Sequence, residues 1–256
     1  MGTPRSTPNL GRRVFGLGVI VLGVAGVASR DFAVDWQHVA PDVPGRAVLA
    51  EMAAVLELIA GIFLFSRRAA RAGALILIGL FSVYVLLWLI PAIGAPSNVG
   101  NWGNFFEETL ALTASVVAFI SFGSGPDPVK RAARISRVAG ICSLWFGTEH
   151  LIYLHPAAGY VPNWIPPNQV FWVGATAVFF YLAGISILTG VLDTVGSLLL
   201  AVMLLLFQIL VWIPKVVAAP HDHFMWSANG VALAFAGAAW VAADAIKRRG
   251  HVSAGG

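Results

Sequence analysis

Eight apolar runs separated by short polar stretches divide the chain: 14–29, 47–65, 72–91, 104–122, 138–154, 169–190, 194–213 and 226–245. Each reaches or approaches the roughly 20 residues that a helix needs to cross about 30 Å of hydrocarbon. A span in lipid cannot leave backbone N–H and C=O groups unpaired, so the pattern predicts eight helices, whatever the local content of Val, Ile and Phe.

The runs also repeat. Ile59-Ala60-Gly61-Ile62 recurs as Leu182-Ala183-Gly184-Ile185, and the Pro91 that closes one run recurs as Pro214, both 123 residues later. Ala111-Leu112 answers Ala232-Leu233 at a slightly shorter offset, as small loop deletions would produce. A fixed long period is a statement about architecture. It predicts an all-α polytopic membrane protein with eight transmembrane helices, built as two four-helix repeats over residues 1–125 and 126–256. Four helices bring each half back to the side it started from, so the repeats are parallel and related by a pseudo-two-fold axis along the membrane normal. The Gly/Pro-rich stretch Gly123-Ser124-Gly125-Pro126-Asp127-Pro128 is the natural boundary.

Composition agrees with this class and adds orientation. A mean hydropathy of +0.81 with 11% charged residues is far from soluble usage. Thirteen of the 16 Lys and Arg fall on one side: Arg5, Arg12, Arg13, Arg67, Arg68, Arg71, Lys130, Arg131, Arg134, Arg137, Lys247, Arg248 and Arg249. The positive-inside bias puts that side, with both termini, in the cytoplasm, and places the chain in the cytoplasmic (inner) membrane. The same bias accounts for the basic isoelectric point, and no basic stripe with interleaved aromatics points to nucleic acid. Trp36, Trp88, Trp102, Trp164, Trp172, Trp212 and Trp226 map to the outer interface or its loops, where an aromatic belt is expected. Residues 1–29 carry the arginines, apolar core and small residues of a signal peptide. The repeat makes them the counterpart of 138–154 and predicts that they are retained. The lone cysteine, Cys142, excludes an intrachain disulfide and any paired-thiol exchange.

Polar groups within the apolar runs are the candidates for chemistry. Glu57 falls near the middle of the second run, where a charge costs about 2.5–3.5 kcal/mol. Its helical neighbours Ala53, Ala54, Ala60 and Gly61 form a small-residue face that another helix can approach closely. At the equivalent position of the second half stands Phe180, so the packing face persists and the carboxylate does not. Two readings of Glu57 stand: a proton-accepting or ligand-binding acid, and a neutral acid hydrogen-bonded to a neighbouring helix. Glu107 and Glu108 are expected to open the fourth helix, where the unsatisfied N–H groups of a helix N-terminus favour acids. Alternatively one of them shares a site with Glu51 and Glu57. His150 continues the stripe Ala139, Ser143, Gly147 and sits beside Glu149, a pairing suited to proton relay or to a structural hydrogen bond. His38, His155, His221 and His223 lack the rigid spacing of a metal site, and no metal is expected. Gln208 and Asn229 are read as interhelical hydrogen-bonding residues. No nucleophile constellation, P-loop or dinucleotide fingerprint is present, so no catalytic residue is assigned.

Several short motifs resemble the DoxX-like integral membrane family. They are Phe146-Gly147-Thr148-Glu149-His150, Val161-Pro162-Asn163-Trp164-Ile165-Pro166 and Phe171-Trp172-Val173 in the second half. In the first half they are Glu57-Leu58-Ile59-Ala60-Gly61 followed by Arg67-Arg68, and Asn104-Phe105-Phe106 with Leu110-Ala111-Leu112. Phe180 departs from the family's acidic pattern. The resemblance covers nearly the whole chain as two four-helix units, and it implies an accessory subunit of a quinone-linked redox system. No intrinsic cofactor is implied, with quinone as the ligand; the partners would be the bilayer and a redox protein or a second copy of the chain. A transporter or binder of a small apolar molecule, and a structural assembly factor, remain open alternatives at this point.

Overall fold

The computed structural model describes residues 10–33, 35–124 and 126–254. Arg5, Gly125 and the start of the signal-like segment lie outside the described residues. Among the described residues the regular elements are helices: α1 Leu10–Ser29, α2 Arg46–Phe65, α3 Ala70–Gly94, α4 Val99–Ile120, α5 Pro126–Ile135, α6 Val138–Ile152, α7 Leu154–Ala158, α8 Gln169–Thr189, α9 Asp193–Phe207, α10 Ile213–Ala218 and α11 His223–Ala254. A π-helical turn, Gln208–Trp212, joins α9 to α10 in one continuous rod.

Six helices are long and apolar enough to cross a membrane: Leu10–Ser29, Arg46–Phe65, Ala70–Gly94, Gln169–Thr189, Asp193–Ala218 and His223–Gly250. Their outward faces carry Met52, Ile62, Leu86, Leu182 and Leu199, each more than half exposed. So much exposed aliphatic surface suits lipid and not water. The chain is therefore a polytopic all-α protein of the membrane class.

The order of packing is simple. Helix α1 lies between α2 and α11, α2 packs on α3, and α3 on α4. In the second half α6 packs on α8, α8 on α9, and α9 on α11. Helix α4 closes the assembly against both α6 and α11. Glycines set the close crossings, the tightest being Gly18 and Gly237 between α1 and α11. A Cβ on Gly16 or on Gly61 would strike the other's carbonyl oxygen, which binds α1 to α2 at backbone distance. Gly140 and Gly184 make the same reciprocal contact between α6 and α8. Gly73 of α3 abuts Ala60 and Phe63, and Gly196 of α9 abuts Ser186, with Ala183 further off. Small residues at such crossings let dispersion forces act over the whole backbone, the usual source of helix association in lipid.

Three details differ from the sequence-based expectation. Pro91 does not end α3, which runs on to Gly94; Asn101 Nδ2 donates to the Pro91 carbonyl at 3.0 Å. The boundary stretch after Ser124 is itself a helix, α5, which buries Pro128, Ala132 and Ala133 beneath α4 and α11. Its alternation of arginines and alanines is amphipathic, a signal overshadowed by the Gly/Pro content just before it. Helix α4 starts at Val99, five residues before the predicted run, because Asn98 accepts from the N–H groups of Gly100 and Asn101.

Candidate functional site

The chain after α1 folds back into the bundle. Asp31 accepts the Phe32 N–H at 2.8 Å and pairs with Arg46 at the start of α2, while Arg30 pairs with Glu51 one turn further on. Held this way, the strap 31–38 inserts Phe32, Ala33, Trp36 and Gln37 into the interior. The Ala33 N–H donates to Gln37 Oε1 at 2.9 Å, which turns the Gln37 amide nitrogen towards α2. There it donates to Glu57 Oε1 at 2.6 Å. Tyr84 of α3 donates its hydroxyl to the same oxygen at 3.3 Å. Glu57 is 1% exposed, enclosed by its small-residue face against α1 on one side and by this polar pair on the other.

Glu57 is the deepest of four neighbouring acids. Glu108 of α4 is buried, its Oε2 has no hydrogen-bond partner, and it lies within electrostatic reach of Glu57 and Glu107. Glu107 Oε2 accepts the indole N–H of Trp36 at 2.9 Å, and Glu149 of α6 lies within its reach in turn. The Glu149 carboxylate sits against Gly103 of α4, in space that any side chain there would fill. The described ion pairs, Arg30–Glu51, Arg46–Asp31 and Arg249–Asp193, all lie outside this group. The four carboxyls thus run from the α4–α6 interface to the middle of α2, each within electrostatic reach of another. Donors, not cations, meet them: Gln37, Tyr84 and Trp36.

The structure thus brings together Glu57, Glu107, Glu108 and Glu149 and leaves two candidates apart. Glu51 remains at the rim with Arg30. His150 points away from Glu149: its Nδ1 is 2.8 Å from the Phe146 carbonyl, and its ring packs between Phe180 and Phe207. Consecutive helix positions diverge by about 100°, so adjacency in sequence separates the pair in space. The expectation for Glu107 and Glu108 is corrected too. Asn98 caps α4 two turns earlier, so neither acid lies in the first turn to meet free N–H groups. No three His, Cys, Asp or Glu side chains among the described residues converge with the geometry of a metal site.

Sequence reasoning missed Gln37, Trp36, Tyr84 and Trp88. Trp36 and Trp88 are buried, not part of a lipid-facing belt, and Trp88 Nε1 donates to the Trp36 carbonyl at 2.6 Å. A local signal was available for other tryptophans. The spacing Pro-x-(Asn/Asp)-x3-Trp occurs at Pro96/Asn98/Trp102, Pro166/Asn168/Trp172 and Pro220/Asp222/Trp226. Each time the indole N–H donates to the proline carbonyl, at 3.2, 2.9 and 2.8 Å, while the Asn or Asp caps the helix. The second half contributes Glu149 to this group and shows no second such group among its described residues. Its interior polar link is Gln208 Nε2 to Asn229 Oδ1 at 2.8 Å, with Ser143 Oγ donating to the Phe180 carbonyl at 2.7 Å. No known protein family, curated protein or solved structure matches the chain.

Proposed function

We propose that this protein is an accessory membrane subunit of a quinone-linked redox system, and that its acid group exchanges protons with the bound quinone head. The observation that carries the reading is Glu108. A buried carboxyl oxygen without a partner, next to two further acids, is costly unless it serves something. Intramembrane acids are by default functional candidates for proton handling. Quinone reduction takes up two electrons and two protons; a partner dehydrogenase supplies the electrons, and the line Glu149–Glu107–Glu108–Glu57 carries the protons. The head needs little else: an apolar wall, here Trp102, Phe106 and Trp145 packed on one another, and one or two hydrogen-bonding groups.

The architecture that goes with this reading is eight spans in two parallel repeats, with both termini cytoplasmic in the inner membrane. Contacts recurring at an offset of 123 residues, or 124 from Gly16 to Gly140, support it. Gly16–Gly61 and Gly140–Gly184, Gly73–Phe63 and Gly196–Ser186, and the Glu57–Tyr84 and Phe180–Phe207 pairs all correspond. The resemblance to DoxX-like proteins supports the accessory role.

One observation favours a second reading. Oε1 of Glu57 is fully served by Gln37 and Tyr84, as in an acid that only fastens helices together. Infrared difference spectra of the protein in nanodiscs, recorded on adding a soluble quinone, separate the two. Proton exchange predicts a carboxyl band that shifts on addition and is missing in Glu57→Gln. A structural acid predicts no difference between the two proteins.

A further inference from the structure

At the end of the bundle where α1 begins and α11 ends, Arg12 is 7% exposed, and its Nε and Nη1 have no hydrogen-bond partner. The guanidinium lies over the Phe122 ring at 5.4 Å and lines a cavity of about 40 Å³ between α1, α4 and α11. Arg248 lines the same cavity and donates through Nε to the Asp244 carbonyl at 3.0 Å. Arg13, Arg67 and Arg248 all lie within electrostatic reach of Arg12. Asp244 also lines the cavity, but its Oδ2 is turned to the Gly11 N–H at 3.4 Å, and none of the described ion pairs includes Arg12. Ser121 adds no donor, since its hydroxyl donates to Val117.

We propose that this cavity binds a phosphate-bearing anion, held by the guanidinium groups of Arg12 and Arg248. A buried cation with unmet donors is strongly unfavourable by itself. A planar guanidinium offers paired N–H groups at the spacing of phosphate oxygens. Arg12 stands in the first turn of the span Leu10–Ser29, so the cavity lies at the depth of lipid headgroups, where basic pockets between helices take anionic lipid. The site is remote from the acid group, at the opposite end of α1, and does not depend on the quinone reading.

The test is the unfolding temperature of the delipidated protein in neutral detergent, titrated separately with phosphatidylglycerol, phosphatidylcholine and inorganic phosphate at matched ionic strength. The expected result is a saturable rise with phosphatidylglycerol that needs about tenfold more lipid in R12Q and in R248Q, and is unchanged in R13Q. Arg13 is exposed and carries the same charge, so it controls for bulk electrostatics. Should R12Q not insert, the half-buried Arg248 still decides the matter through R248Q. A rise with inorganic phosphate as well identifies the oxyanion itself as the ligand; a rise with phosphatidylglycerol alone identifies the lipid headgroup. No saturable rise with any probe, or equal responses from R248Q and R13Q, overturns the proposal.

Discussion

Tyr84 donates to Glu57 across the α2–α3 interface, and 123 residues later Phe207 meets Phe180 across the α8–α9 interface with ring centroids 6.3 Å apart. Positions 123 residues apart thus hold a polar pair in one case and an aromatic pair in the other. In the proposed two-repeat architecture the same frame accepts either pair, with Glu57 answered by Phe180. Glu57→Gln should accordingly insert and fold, since the amide oxygen can still accept from Gln37 and Tyr84. Its thermal unfolding should lie within about 1 kcal/mol of wild type. A collapse to aggregate in the same detergent would mean that the carboxyl is required for packing.

Trp36 fastens the strap 31–38 by two bonds, one from its indole to Glu107 and one from Trp88 to its carbonyl. Trp36→Phe keeps the second and removes the first. Hydrogen exchange of residues 32–38 should then quicken, with a stability loss of about 1–3 kcal/mol, while exchange in α8 stays unchanged. Equal acceleration in both places would show that the strap is not a separate local unit.

The glycine crossings give paired outcomes. Gly61→Ala and Gly184→Ala each force a methyl group onto a partner carbonyl and should destabilise by about 1–3 kcal/mol. Gly79 of α3 has nothing within 4 Å of where a Cβ would stand. Gly79→Ala should be neutral or stabilise by up to about 1 kcal/mol through helix propensity. Denaturation in mixed micelles measures all three, and a Gly184→Ala protein as stable as Gly79→Ala would refute the close α6–α8 approach.

The proline–tryptophan clasps are a local device with a local cost. Trp172→Phe leaves the ring and removes the bond to the Pro166 carbonyl, worth about 1 kcal/mol. Asn168→Ala removes the cap on the Phe171 N–H and should cost about 0.5–2 kcal/mol. The two changes act on the same helix start, so in the double variant their costs should fall short of the sum. Strict additivity in a thermal-melt cycle would argue against a joint clasp.

How far the sequence discloses this arrangement depends on the range of the interactions. The long helices follow from apolar runs, because lipid leaves the backbone no other solution, and Glu57 stands out because a carboxyl in such a run is expensive. The partners of Glu57 are invisible at that level. Gln37 lies in a stretch without periodicity, and its hydrogen bond spans a fold-back that no local propensity encodes. Glu107 and Glu108 were placed at a helix start because Val99, Gly100 and Asn101 read as loop. The cap at Asn98 moves that start to Val99, about one and a half turns earlier, and turns both acids from terminal groups into interior ones. His150 illustrates the opposite error, where neighbours in sequence occupy different faces.

An acid group that serves a bound quinone, as proposed, should bring quinone with the protein through purification. The direct measurement is mass spectrometry of an organic extract from the detergent-purified protein, with Glu57→Phe run in parallel and both preparations matched for helicity and monodispersity. Phenylalanine is the residue found 123 positions further on, at Phe180. Near-stoichiometric quinone in wild type and its loss in the variant is the predicted result; no quinone in wild type, or equal amounts in both, would contradict the account.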